Sequence, residues 1–380
     1  MLTDDVKLIS VDDHVIEPRH VWEKYLPAKY REAGPRVVRP DNGPDEFWEW
    51  EGRRYPVQLQ GSPTTRIFRD EGGSDRDFRS NSYDDMIPAC YDVDERVKAM
   101  DVDGVQASLC FPQWPRFAGT RFLEATDWDL AAACVSAWND WMLDEWCASY
   151  PDRFIPMSII PLWDPVAAAA EMRRCAAKGS RTITMIENPT TLGLPSWWTD
   201  HWDPVFAAAE ETGLVLSTHI GTGGKLFSPS TESTEAVQIS LCGVNSMGAM
   251  VDLMYSGLLN RHPGVKVALS EGGAGWIPYM VERTQFTWER TRVGDVDKSI
   301  SPVELYERHF WACFISDDIA LELRDKIGMD KLMWEADFPH NDCNYPHTRE
   351  MLAKQMADIP DADCKKIAET NARNLYNFHA

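Results

Sequence analysis

Eight short apolar runs, each trailed by a helix-forming stretch, constrain this chain more than any other feature. The runs lie at 7–10, 105–111 (VQASLCF), 154–161 (FIPMSIIP), 182–186 (TITMI), 214–220 (LVLSTHI), 265–270 (VKVALS), 310–316 (FWACFIS) and 332–336 (LMWEA). Helical patterns occupy 94–100, 126–149, 165–177, 204–211, 235–260, 275–290, 318–327, 349–357 and 362–378. Strands buried on both faces read as near-continuous apolar runs, and parallel strands need helical crossovers. Eight such units close most economically into an α/β fold of the TIM (β/α)8 type, with a doubly wound open sheet as the alternative. Residues 19–92 break the rhythm with Pro, Gly, Arg, Asp and aromatics, and predict a large insertion after strand one that serves as a lid or contact arm. Within it, FWEWEG predicts a hairpin. A terminal helix is expected within 361–380, and the whole chain is read as one domain.

Charge narrows the function. A net charge of −22 argues against nucleic acid and against a basic membrane surface. No apolar run approaches the roughly 20 residues of a membrane span. The polar, acidic start (Thr3 to Asp5) does not resemble a leader, and nine cysteines without a CxxC pair look like reduced thiols, so a cytoplasmic location is expected.

In a barrel of this kind chemistry gathers where the strands end at their C-terminal side. Strand one runs into DDHVIEP, where Asp12 and His14 share a face and Asp13 points opposite. Taken alone, Asp12, Asp13 and Glu17 could be solvated turn residues. Strand four ends at Glu187, strand five at His219, strand six at Glu271 and strand eight at Asp337, with His340 just beyond. Carboxylates crowded at one rim repel unless a cation compensates, so Asp12, His14, Glu187, His219, Glu271 and Asp337 are predicted metal ligands. Carboxylate and imidazole donors suit iron or manganese, with zinc an alternative.

The motifs DDHVIEP, HWDPVFAA with LVLSTHIG, LSEGGAGWIPYMVER and WEADFPHND resemble the amidohydrolase superfamily, in the branch related to aminocarboxymuconate-semialdehyde decarboxylase. The resemblance spans nearly the whole chain and implies ligands at strands one, four, five, six and eight. Two departures matter. Asp12 stands where His-x-His is usual, and Glu271 stands where those decarboxylases carry histidine. Glu187 occupies the place of a bridging carboxylate in two-metal members. The acidic set is most similar to the non-haem di-iron monooxygenases of platensimycin and platencin biosynthesis, which implies two irons, dioxygen as co-substrate and a coenzyme A thioester or other apolar small molecule. The expected activity is therefore hydroxylation, with a metal-dependent hydrolase or decarboxylase as the alternative and a non-enzymatic binding protein behind both.

In these schemes Glu271, Asp337 and His340 carry the chemistry, and His201 supports the ligands. Trp114, Phe117 and Trp276 line the substrate, Arg116 meets an anionic group, and Arg66 or Arg69 would meet a thioester's phosphates. The Trp-rich stretch WNDWMLDEW and the insertion are expected to serve a homodimer.

Overall fold

The computed structural model describes residues 1–41, 43–57, 82–84, 86–292, 294, 296–340 and 342–379. Arg66 and Arg69 lie outside the described residues. The strands are β1 (Leu8–Val15), β2 (Arg36–Val38), β3 (Phe47–Trp50), β4 (Arg53–Pro56), β5 (Val105–Pro112), β6 (Met157–Ser158), β7 (Thr182–Met185), β8 (Val215–His219), β9 (Val267–Ser270), β10 (Phe310–Phe314) and β11 (Leu332–Trp334).

Strands β6 to β11 pair in sequence order in one parallel sheet, and β1 pairs parallel with β5. Backbone hydrogen bonds join the two pieces on both sides. Ser108 of β5 bridges Phe154, with Ser108 N donating to Arg153 O and Ile155 N to Ser108 O, each at 2.9 Å. At the other seam Asp337 N donates to Asp12 O at 2.8 Å and His14 N to Phe338 O at 2.7 Å. The ring closes, and the expected TIM-type barrel is what forms.

Its interior is apolar. Ile9, Val11, Ala107, Leu109, Met157, Val215 and Met333 fill it, and Leu375, Tyr376 and Phe378 from the terminal segment pack against them. That segment is not one continuous helix. A π-turn at Lys366–Thr370 separates Asp361–Lys365 from Asn371–Leu375. The long helix expected over 126–149 is likewise interrupted by a π-turn at Met142–Trp146. Trp138, Trp141 and Trp146 are all buried in the core, so WNDWMLDEW offers none of its indoles to a partner. The 235–260 stretch breaks into Glu235–Ser240, Gly243–Tyr255 and Leu258–Arg261. A Cβ on Gly243 would lie 2.8 Å from the Gly272 carbonyl, so the break lets a helix start directly against the loop that follows β9.

The insertion carries the hairpin expected from FWEWEG. Strands β2, β3 and β4 form an antiparallel sheet that turns at Glu51 and Gly52, both at positive φ. Trp48 and Trp50 are buried against Trp22, Trp114 and Phe122, with ring centroids 4.7–6.0 Å apart. Trp114 is therefore a core residue under this sheet and is not among the residues lining the cavity at the barrel rim. Edge-to-face contacts with Trp22, Trp50 and Phe122 and a tilted contact with Trp48 hold it there.

Strand β1 is longer than expected, and its register against β5 shifts between Ser10 and Asp13. A bulge of this kind re-aims side chains. Val11 packs in the barrel interior while Asp12 and His14 both reach the rim centre. Asp13 points the other way, as alternation predicts. It accepts from Ser10 Oγ at 3.1 Å, from the Phe338 N–H at 2.9 Å and from the Ser108 hydroxyl, and so fastens β1 to both neighbours.

Glu17 is buried as well, not solvated. It accepts from Gln113 N (3.1 Å), Trp114 N (2.8 Å) and Trp138 Nε1 (2.9 Å). Burial nevertheless raises its carboxyl from the ordinary 4.5 to about 7. The unfolded chain ionises first, so folding loses stability as pH rises through the unfolded value, and the loss is complete above about 7. At roughly 1.4 kcal/mol per pH unit the loss is about 3 kcal/mol. Urea unfolding should move in favour of Glu17→Gln over the parent by about 2–3 kcal/mol between about pH 5 and about pH 8. A stability difference that is flat across that range contradicts a titrating buried carboxyl.

Candidate metal centre

Four fully buried side chains meet at the rim: Asp12 and His14 from β1, His219 at the end of β8, and Asp337 just past β11. The two imidazoles face each other, Nε2 to Nε2, at 3.3 Å. His219 Nδ1 lies 2.6 Å from the Ile220 carbonyl, which can only accept, so Nδ1 carries the hydrogen and Nε2 presents a lone pair. Asp12 places one oxygen 3.6 Å from His14 Nε2 and the other 3.5 Å from His219 Nε2. Asp337 Oδ1 lies 3.2 Å from His14 Nε2 and 2.9 Å from His340 Nδ1. Glu271 Oε2 lies 3.1 Å from His219 Nε2, on the side that opens to a cavity.

Both oxygens of Asp12 and both of Asp337 are buried without a hydrogen-bond partner. Buried polar groups in native proteins are almost always paired, so four orphaned carboxylate oxygens facing two imidazole nitrogens need an explanation. Burial and the neighbouring acids push the Asp12 and Asp337 carboxyls well above their usual range. Burial and the neighbouring imidazoles push His14 well below its own, and burial lowers His219 although Glu271 opposes it. Left to itself this cluster would shed its charge. A divalent cation reverses the balance, because it neutralises the carboxylates and takes the imidazole lone pairs. The donor set fits such an ion, being oxygen and imidazole nitrogen without thiolate.

Structure outside the centre holds its members in place. The buried Arg96 donates to the carbonyls of Ala89 (2.7 Å) and His14 and stacks on Phe338, which fixes the end of β1 carrying His14 against the Asp337 loop. Glu271 and Asp337 both adopt positive φ (57° and 56°), a conformation uncommon for residues with a side chain and often found at functional sites.

Five of the six predicted ligands converge; Glu187 does not join them. Its Oε1 accepts from Asn245 Nδ2 (2.7 Å) and Gly223 N (3.2 Å), which turn it toward the loop after β8. Asn245 comes from a distant helix, and a strand-end position gives no warning of it. His340 is in place: it stacks on His14 with centroids 3.8 Å apart and lines the cavity. Burial lowers its pKa to about 3, so the ring is neutral. Phe117 and Trp276 line the cavity. Arg116 does not; its guanidinium pairs with Glu124 at 2.5 Å. His201 packs edge-on against Trp202 and is not among the converging groups.

Two acids escaped the sequence reasoning. Glu335 is buried beside the centre, accepting from Glu271 N at 3.2 Å with Cys313 Sγ at 2.5 Å, and burial with Asp12 nearby raises its carboxyl well above the usual range. Asp342 lines the same cavity, and its charge is felt by Asp12, Glu271 and Asp337. The two-residue spacing that singled out Asp12 and His14 also relates Glu335 to Asp337 and was the available signal.

Comparison with known proteins places this geometry in a family. The chain is 26% identical over 322 residues to the γ-resorcylate decarboxylase of Rhodococcus jostii, a match covering 78% of this chain and 91% of that protein. It is 25% identical over 305 residues to the γ-resorcylate decarboxylase of Rhizobium radiobacter, covering 75% and 87%. Among solved structures, an amidohydrolase from Mycobacterium avium subsp. paratuberculosis matches with a TM-score of 0.74 at 22% identity over 98% of this chain and 99% of the other. The 5-carboxyvanillate decarboxylase of Novosphingobium aromaticivorans, solved with manganese, matches with a TM-score of 0.68 at 17% identity over 99% and 100%. At such identities the structures attest the shared fold alone. The family model described as Amidohydrolase matches residues 20–378, and this chain belongs to the amidohydrolase family.

Proposed function

We propose that this protein is a cation-dependent carboxy-lyase acting on a hydroxylated aromatic or related unsaturated carboxylic acid. The carrying observation is the cradle of Asp12, His14, His219 and Asp337, whose unpaired oxygens and facing nitrogens lie beneath a cavity entered past Glu271. The likeness to γ-resorcylate decarboxylases supports decarboxylation over the expected hydroxylation. Glu187, one of the two carboxylates the di-iron scheme could use as a bridge, has its Oε1 held by Asn245 and Gly223. One ion per chain, manganese or a close divalent relative, replaces two irons, and dioxygen drops out.

When bound, the cation supplies the positive charge that lets an anionic acid sit over this carboxylate-rich floor. The chain's own residues do the rest. Glu271 faces both the cradle and the cavity, and it is the acid positioned to deliver a proton to the carbon that loses carbon dioxide. The carbon–carbon bond breaks, its electron pair stays on the ring carbon, and the Glu271 proton forms the new C–H bond. Solvent then restores that proton. Phe117, 4.5 Å from His14 and 4.3 Å from His219 by ring centroids, keeps water from the imidazoles.

Under nitrogen, manganese-loaded protein should release carbon dioxide from a panel of hydroxybenzoates without consuming oxygen. Oxygen-dependent hydroxylation with no carbon dioxide would overturn the proposal.

A further inference from the structure

The cavity above the centre is larger and more divided than a small phenolic acid requires. It measures about 970 Å³, at the upper end of ligand pockets. Its floor is polar, with Glu271, Glu335, His340 and Asp342. Its other wall is apolar and comes from the loop after β8 and the helices after it: Leu226, Ile239, Leu241, Val244 and Met247, with Trp276 packed beside Gly243. Of these six side chains Ile239 is 48% exposed and the other five are partly buried, so the wall leaves some apolar surface open to the cavity. No arginine or lysine lines the cavity among the described residues. Among the described residues, a charged tail therefore meets no cationic partner on this wall.

We infer that the substrate is an amphiphile: a carboxylic acid head at the cation cradle, continued by an uncharged apolar tail of several carbons lying along the wall of Leu226, Ile239, Leu241, Val244 and Met247. This rests on the carboxy-lyase reading for the head and on the cavity alone for the tail. Each buried methylene contributes roughly 0.8 kcal/mol, so a tail that fits leaves a steep signature in affinity.

The test is calorimetric. Manganese-loaded full-length protein is titrated with 2-hydroxybenzoates carrying ethyl, butyl, hexyl or octyl chains, and carbon dioxide release is followed in parallel. Kd should tighten roughly tenfold for each two-carbon extension while the wall has room. In Val244→Asp or Met247→Trp, which charge or fill the wall at separate positions, the dependence on chain length should flatten. Equal affinities along the series, a slope that survives in both variants, or no binding by any member would overturn the inference. The two readings fail separately. Turnover of the unsubstituted acid with a flat series removes the tail and leaves the carboxy-lyase. A steep series without carbon dioxide removes the carboxy-lyase and leaves the amphiphile site.

Discussion

Replacing Glu271 by Gln should lower kcat for decarboxylation by about 10²–10⁴-fold, the usual contribution of a positioned proton donor, while manganese affinity changes no more than a few-fold. Glu271 differs from the four cradle residues in one respect. Asp12, His14, His219 and Asp337 are sealed from solvent, whereas the Glu271 side chain keeps 16% of its surface exposed and borders the cavity. A group that meets substrate must reach the cavity, and a group that only holds an ion need not. Its φ of 57° and the hydrogen bond from its N–H to Glu335 fix the backbone from which the carboxyl projects. Gln keeps the volume and removes the transferable proton. Single-turnover kinetics with metal analysis on the same sample separates the roles. Loss of manganese with the substitution would make Glu271 a ligand, and undiminished turnover would remove it from the chemistry.

Asp337→Asn should produce an inverse pairing of effects: greater stability without metal and no stabilisation by it. In the metal-free chain both Asp337 oxygens are buried without a well-formed hydrogen bond, although His340 Nδ1 lies 2.9 Å from Oδ1, and burial together with Glu271, Asp342 and Asp12 opposes their charge. Removing one such burden from a crowded acidic cluster should raise the stability of the metal-free protein by about 1–3 kcal/mol. The parent should in turn gain about 2.7 kcal/mol from manganese at a hundredfold excess over its Kd. In the variant that gain should largely disappear, along with turnover. Denaturant midpoints with and without manganese read both effects. A variant that is less stable than the parent without metal would show that Asp337 is held by protein contacts and not poised for an ion.

The barrel was legible in the sequence because each strand is buried on both faces and therefore nearly free of polar residues. The same property makes polar residues at the strand ends conspicuous, which is how Asp12, His14, His219, Glu271 and Asp337 could be collected from positions far apart in the chain. Strand ends identify a rim and not a direction. Glu187 stands at the right rim, yet Asn245 and Gly223 from later elements turn it aside. Trp114 follows a barrel strand but is claimed by Trp22, Trp48 and Trp50, and no local pattern encodes those long-range contacts. Arg96 lies on a helix whose sequence reads as ordinary surface, and only the fold brings its guanidinium to the His14 carbonyl. The breaks in the long helices follow close packing, as at Gly243 against Gly272, which helix propensity does not register.

The proposed decarboxylation requires the buried oxygens of Asp12 and Asp337 and the facing nitrogens of His14 and His219 to make a single cation site. Equilibrium dialysis of metal-free protein against manganese, with metal counted per chain, measures this directly. The account predicts one ion bound per chain in the parent and none retained when His219 is replaced by Ala. No bound ion, or full retention after that replacement, would contradict it.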